Sequence, residues 1–313
     1  MTNNIRVGVV GAGYLGSIHA RIYSEMSNVE LVGIYDIDAS LAASVAGEVG
    51  SIGAFSMEEL IPKIDAVSIA VPTSLHYEVA EPFIKAGKAL LIEKPITSTV
   101  QQARNLVDLV DAHASKVLIG HVERYAPALL ALDEKISNPR FIEVHRLSKF
   151  TGRATDVDVI TDLMIHDIDI ILSIVDEMPI RVDAVGSPVI TERTDIANVR
   201  LQFPCGAVAN VTASRVSQKQ FRRMRVFGSE GYFAVNFTDQ VLDSVCMPEG
   251  GKSIDDLKIE NEHVTGERPL QAELEHFASV VRGEVLPKVT VTQGLRALEV
   301  VEMIQKQLSD LQI

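Results

Sequence analysis

The sequence predicts two domains in series: a doubly wound parallel sheet with helices on both faces (α/β), then an α+β domain built on an open antiparallel sheet. Three observations carry this reading. Over the first ~120 residues, short apolar runs alternate with helical segments at the spacing of βαβ units. From Arg181 to Met247 the chain turns mostly to strands, with period-2 patterning. A length of 313 residues is that of about two domains.

The elements follow in order. Ile5–Val10 is an apolar strand entering a glycine turn, Tyr14–Met26 a helix and Glu30–Tyr35 the second strand. Ala66–Val71, Leu90–Ile92 and Val117–Gly120 are short, β-branched-rich runs suited to strands covered on both faces. They are counted here as the fourth strand, the fifth and one beyond, with helices such as Tyr77–Ala86 and Val100–Ala112 between them. Ser56 before Glu59, and Ser98 before Gln101, have the spacing of a capping box and mark helix starts.

After His121 the pattern changes. Pro127 opens a short helix, Phe141–Lys149 reads as a strand and Val159–Val175 as a strongly apolar helix. Val199, Leu201 and Phe203 alternate with Asn198, Arg200 and Gln202, the mark of a sheet with one buried face. Pro204-Cys205-Gly206 and Gly228-Ser229-Glu230-Gly231 supply hairpin turns, and Leu270–Arg282 and Gly294–Leu311 are helical again.

Composition narrows the function classes. With 47 % hydrophobic and 23 % charged residues the chain is an ordinary folded, soluble one. Its 29 basic against 42 acidic side chains, net −13, argue against nucleic acid as a partner and against docking on anionic membrane by charge. No secretory signal stands at Met1–Arg6, and the longest apolar runs fall far short of the ~20 residues of a membrane span. Cys205 and Cys246 are too isolated for a zinc cluster, so no metal is expected and a reducing cytoplasm is the economical location.

Chemistry enters with Gly11-Ala12-Gly13-Tyr14-Leu15-Gly16. This G-x-G-x-x-G run leaves a strand and opens a helix, and Asp36 stands twenty residues past Gly16 at the end of the second strand. Such glycines allow a tight turn and close approach of a pyrophosphate to a helix N-terminus, while the aspartate accepts ribose hydroxyls and repels a 2′-phosphate. No arginine follows in Ile37-Asp38-Ala39-Ser40, so NAD is expected rather than NADP. The alternative is a conformational glycine turn with a capping aspartate.

Ligands of open α/β sheets bind beyond the carboxyl ends of the strands. That places Glu93-Lys94-Pro95 and Val71-Pro72-Thr73-Ser74-Leu75-His76 at the crevice. Pro72, Thr73, His76, Glu93 and Lys94 therefore join Gly11, Gly13, Tyr14, Leu15, Gly16 and Asp36 as candidate cofactor contacts. The bland readings are a surface ion pair at Glu93–Lys94 and a helix cap at Thr73 or Ser74. In Val159–Val175, Asp162, His166, Asp169 and Ser173 recur on one face of an otherwise apolar helix. A carboxylate one turn from a histidine orients the ring and raises its basicity, which favours a site over a satisfied core histidine. No third ligand is evident for a metal.

Gly11–Gly16, Glu93-Lys94-Pro95, Asp162-x-x-x-His166, Val226–Gly231 and Pro269-Leu270-x-x-Glu273, in this order along essentially the whole chain, resemble the Gfo/Idh/MocA oxidoreductases. Gly120–Pro127 and Asp162–Asp169 are similar to the branch that acts on the 3-hydroxyl of UDP-N-acetylglucosamine, with Ala126 where asparagine is common. The resemblance implies a Rossmann dinucleotide-binding domain at 1–121 and a substrate-binding and oligomerisation domain at 122–313, pairing as a homodimer or homotetramer. It implies an NAD-dependent oxidation of a sugar hydroxyl, with His166 as general base, Asp162 as its partner and Lys94 orienting the hydroxyl. His121, Arg124 and Arg153 are then candidates for holding a UDP-sugar. An inositol or simple-sugar dehydrogenase of the same family, and a non-catalytic NAD-binding regulator, are the alternatives.

Overall fold

The computed structural model describes residues 4–51, 56–152, 157–251 and 253–310. The chain forms two compact units, one comprising the residues up to His121 together with Leu270–Leu295, the other Val122–Pro269 and the segment from Arg296 on.

In the first unit, Ile5–Val10 (β1), Val29–Tyr35 (β2), Ala66–Ile69 (β3), Ala89–Glu93 (β4) and Val117–Gly120 (β5) pair in parallel in the order β2-β1-β3-β4-β5. Every residue of β3, β4 and β5 is buried, which explains why they read as unbroken apolar runs without alternation. The helices are Tyr14–Glu25 (α1), Ala39–Val49 (α2), Met57–Leu60 (α3), His76–Lys85 (α4) and Val100–His113 (α5). Ser56 caps α3 as its spacing predicts, its Oγ accepting the Glu59 N–H. At α5 the cap is Thr99 and not Ser98: Thr99 has the extended backbone of an N-cap and accepts the Gln102 N–H at 3.2 Å. The Val71–His76 loop thus follows the third described strand and Glu93–Pro95 the fourth, one place earlier than the sequence count.

The helix Pro269–Arg282 (α8) corrects the expected boundaries. Its apolar face buries Leu274, Phe277, Ala278 and Val280, and from Leu270 on it counts with the first unit, so 122–313 is not one compact body. The helix Val291–Asp310 (α9) counts with the first unit up to Leu295 and with the second thereafter.

The second unit is an eight-stranded sheet. Its strands are Pro139–Leu147 (β6), Arg181–Ser187 (β7), Ile196–Gln202 (β8), Val208–Ser214 (β9), Phe221–Gly228 (β10), Gly231–Asn236 (β11), Val241–Cys246 (β12) and Lys258–His263 (β13). The order is β13-β12-β11-β10-β6-β9-β8-β7. All pairs are antiparallel except β6 and β9, which run parallel. Along β8 the alternation is realised as predicted, with Val199 and Leu201 buried and Asn198 and Arg200 exposed. Gly206, at φ +85°, and Gly231, at φ +143°, make the two predicted hairpin turns, and a Cβ on Gly231 would lie 2.6 Å from the Val245 carbonyl.

Pro127–Asp133 (α6) follows a 3-10 turn at Val122–Tyr125. The predicted helix Val159–Val175 is not uniform: Ile160–Met164 is π-helical, and a regular α-helix, Ile165–Val175 (α7), follows. Ile165, Ile168 and Ile171 of α7 share a core with Val144, Val199 and Met224 of the sheet. Among the described residues, no helix is long and apolar enough to cross a membrane.

Candidate active site

In the first unit the strand order reverses direction at β1 and β3, and a crevice beyond the carboxyl ends is the ligand position such sheets provide. The glycine turn is built for close approach. Gly11 has φ +97°, and a Cβ there would stand 2.6 Å from the Ala70 carbonyl oxygen. A Cβ on Gly16 would stand 1.7 Å from the Gly11 carbonyl, so the first turn of α1 rests directly on the loop. Around Gly13 nothing lies within 4 Å, which leaves that side of the turn open to a ligand.

Gly13 is also the N-cap of α1. It brings no side chain to the first-turn N–H groups, and no acidic residue sits in that turn. The positive end of the helix is therefore available to a pyrophosphate. Tyr14 and Leu15, at its start, are exposed.

Asp36 Oδ2 accepts the Ala12 N–H at 2.7 Å and Oδ1 the Asp38 N–H at 2.9 Å, so one carboxylate ties the end of β2 to the glycine turn. Each oxygen keeps acceptor capacity for ribose hydroxyls. Ile37 beside it is 94 % exposed and offers an apolar surface to an adenine ring. Asp38 caps α2 by accepting from the Ser40 and Leu41 N–H groups. Two carboxylates thus stand where a 2′-phosphate would need a cation. These residues fit NAD.

The remaining loops add Pro72 and Thr73, whose carbonyls accept the Leu75 and His76 N–H groups in a 3-10 turn. His76 is buried, with Nδ1 2.9 Å from the Pro95 carbonyl and Nε2 3.0 Å from that of Val71. Burial pushes its imidazole below the ordinary range against these carbonyls. Its ring lies between the two loops, within hydrogen-bond distance of a carbonyl of each. Glu93 is buried at the end of β4, and Lys94 follows it half-buried, with a cis peptide to Pro95. His121, just past β5, is fully buried.

In the second unit, Asp162 lies in the π-helical turn and His166 in the first turn of α7, both half-buried. A π turn inside a helix is a frequent companion of functional sites. Asp158 opens this segment, accepting the Thr161 N–H at 2.8 Å and the Gln305 amide at 2.7 Å. The rest of the predicted polar stripe is structural: Ser173 Oγ donates to the Ile170 carbonyl, and Asp169 Oδ2 lies 3.4 Å from Arg124 Nη1. Arg124 is only 7 % exposed, and its Nη1 faces that carboxylate. Arg153 lies outside the described residues. Among the described residues no three His, Cys, Asp or Glu side chains are grouped to hold a metal ion.

Sequence reasoning missed the ion pair beneath α7. Arg146 of β6 donates Nε and Nη2 to Asp167 at 2.8 and 2.7 Å, and Nη1 to Glu123 at 2.8 Å. Its signal was an aspartate on the apolar side of the helix, beside the polar stripe. Also missed was His19 of α1, a lone histidine among Ala20 and Tyr23 that faces Glu93.

A parallel sheet with an uncapped glycine turn and a carboxylate at the end of β2 has the architecture of a dinucleotide-binding domain. Residues 5–121 match the model of the oxidoreductase family with an NAD-binding Rossmann fold, and residues 134–234 that of the GFO/IDH/MocA C-terminal domain. UDP-N-acetylglucosamine 3-dehydrogenase of Acidithiobacillus ferrooxidans is 40 % identical over 240 residues, 76 % of each chain. Inositol 2-dehydrogenase of Rhizobium meliloti is 31 % identical over 264 residues, 79 % of this chain and 80 % of its own. A solved structure of the Acidithiobacillus enzyme superposes with a TM-score of 0.91 at 33 % identity, covering 98 % of both chains. The chain belongs to the Gfo/Idh/MocA family of NAD-binding oxidoreductases.

Proposed function

We propose that this enzyme oxidises the 3-hydroxyl of UDP-N-acetylglucosamine to the 3-keto sugar with NAD. The observation that carries the reading is the likeness to the Acidithiobacillus dehydrogenase along nearly the whole chain. The chemistry that NAD supplies when bound is hydride acceptance. The carbinol carbon releases a hydride only as its hydroxyl proton leaves, so a base must stand within hydrogen-bond reach of that oxygen. His166 is that base, Asp162 stabilises the imidazolium it becomes, and Lys94 orients the hydroxyl. The cofactor contacts are Gly11, Gly13, Tyr14, Leu15, Gly16, Asp36, Pro72, Thr73, His76, Glu93 and Lys94. The second reading, an inositol dehydrogenase, is favoured by the Rhizobium relative. Assays of NADH formation with UDP-N-acetylglucosamine, free sugars and myo-inositol separate the two: turnover of myo-inositol alone would refute the nucleotide-sugar reading.

Asp36 sets cofactor choice. Asp36→Ala is expected to weaken NAD binding and narrow the preference over NADP, because it removes both the ribose acceptor and the charge facing a 2′-phosphate. Titration of the unaltered protein giving NADP equal or tighter affinity would refute this.

The residue ranges 1–121 and 122–313 are proposed to divide cofactor binding from substrate binding and assembly, except that α8 packs with the first unit. The enzyme is proposed to work in the cytoplasm, with Cys205 and Cys246 as free thiols. Half-exposed side chains such as Arg223, Arg225 and Tyr232 line one groove on the open sheet of the second unit. A second copy pairing through this sheet gives a homodimer or homotetramer. Light scattering is expected to give at least twice the 34.1 kDa chain mass, and a monomer mass at micromolar concentration would count against assembly.

A further inference from the structure

Beneath the Lys94 turn lies a run of buried polar side chains of which only Glu93, as a cofactor contact, has a part in the proposed reaction. Glu93 Oε1 stands 3.2 Å from His19 Nε2, and His19 Nδ1 stands 2.7 Å from Ser68 Oγ of β3. His19 and Ser68 are fully buried. The other carboxylate oxygen, Oε2, accepts the main-chain N–H of Lys94 at 3.3 Å. Room for the carboxylate is made by Gly120 of β5, where a Cβ would lie 3.0 Å from the Glu93 carboxyl group. Tyr23, one turn beyond His19 in α1, stands edge-on to its ring with centroids 6.5 Å apart.

A carboxylate taken out of water is costly unless it is paired and hydrogen-bonded. One tautomer of His19 meets both of its contacts: the Ser68 O–H donates to Nδ1 and the Nε2–H faces Glu93. Burial alone would raise the Glu93 carboxyl, but the His19 contact and the Lys94 charge hold it below its ordinary range. The groups whose charge acts with or on Glu93 are His19 and Tyr23 from α1, Lys94 from its own turn and His76 from α4. Glu273 from α8 acts on Tyr23 in the same cluster. The anion is therefore pinned from one side by an imidazole and bonded on the other to the turn that carries the lysine.

We propose that His19 is a positioning residue for Lys94, acting through Glu93 to anchor the turn that presents the lysine and to keep a negative charge beside its amine. The inference rests on the reading of Lys94 as the residue that orients the reacting hydroxyl. A histidine that merely fills the core would affect folding and leave Lys94 untouched.

The test uses the full chain with His19→Asn, Glu93→Gln, the double variant and Lys94→Ala. Three quantities are measured: kcat with NAD and UDP-N-acetylglucosamine, NAD affinity, and the pH dependence of Lys94 labelling by acetic anhydride without substrate. Expected for His19→Asn is a loss of kcat with NAD affinity retained, and a labelling midpoint moved to lower pH, because a carboxylate no longer held in place beside the amine favours the ammonium less. In the Glu93→Gln background both effects should vanish, a coupling of about tenfold or more in kcat. Should His19→Asn fail to fold, Glu93→Gln carries the test, since it keeps the volume and removes the charge. A wild-type labelling midpoint in Glu93→Gln, or equal and additive losses in the double variant, would overturn the inference. Lys94→Ala turning over normally would overturn the catalytic reading and the inference with it. An inactive Lys94→Ala beside a His19→Asn with normal kcat and labelling would overturn the inference alone.

Discussion

His166→Asn is expected to lower turnover by ~10²–10⁴-fold while leaving NAD affinity nearly unchanged. The size follows from what a general base does. It takes the hydroxyl proton as the carbon–hydrogen bond breaks, and asparagine cannot accept that proton. The retained affinity follows because His166 belongs neither to the glycine turn nor to the ribose-facing carboxylate proposed at Asp36. Asp162→Asn should also cost rate, because an amide cannot supply the charge that stabilises an imidazolium. Lys94→Ala should slow the same step. A satisfied core histidine predicts otherwise, namely a lower melting temperature with normal single-turnover rates in the folded molecules. Cofactor affinity, melting temperature and single-turnover rate measured on each variant separate these outcomes.

Asp167→Ala is expected to destabilise the second unit by about 3–5 kcal/mol, the cost of taking from a buried guanidinium the carboxylate that accepts two of its N–H groups. Arg146 is almost wholly buried, and it donates both Nε and Nη2 to Asp167. Its remaining carboxylate contact would be Glu123, shared with Arg222 Nη1 at 3.4 Å. Replacing both members, as Arg146→Met with Asp167→Leu, should cost markedly less, since the carboxylate left behind, Glu123, is partly exposed and still faces Arg222. Urea unfolding followed by circular dichroism checks both. Equal losses in the single and double variants would show that the helix, and not the charge, is what the substitution damages.

What the sequence revealed depended on whether a local rule fixed the residue. The glycine turn was legible because no side chain fits at Gly11 or Gly16, and the β8 alternation because one face of that sheet is buried. The cap of α5 was missed by one residue because Ser98 and Thr99 both carry a hydroxyl and only backbone conformation separates them. Long-range facts were not legible. Nothing local says that Leu274 and Phe277 pack in the first unit, that Arg124 turns inward to Asp169, or that Asp167 meets Arg146, 21 residues earlier. The π turn carrying Asp162 leaves the same i, i+4 spacing in the sequence as a regular helix would.

The proposed chemistry meets its most direct test in rapid mixing of the enzyme with NAD and UDP-N-acetylglucosamine, read as absorbance in the NADH band. NADH should form in the unaltered protein and be nearly absent in His166→Asn that still binds NAD. Absence of NADH in the unaltered protein, or its formation at the normal rate in His166→Asn, would contradict it.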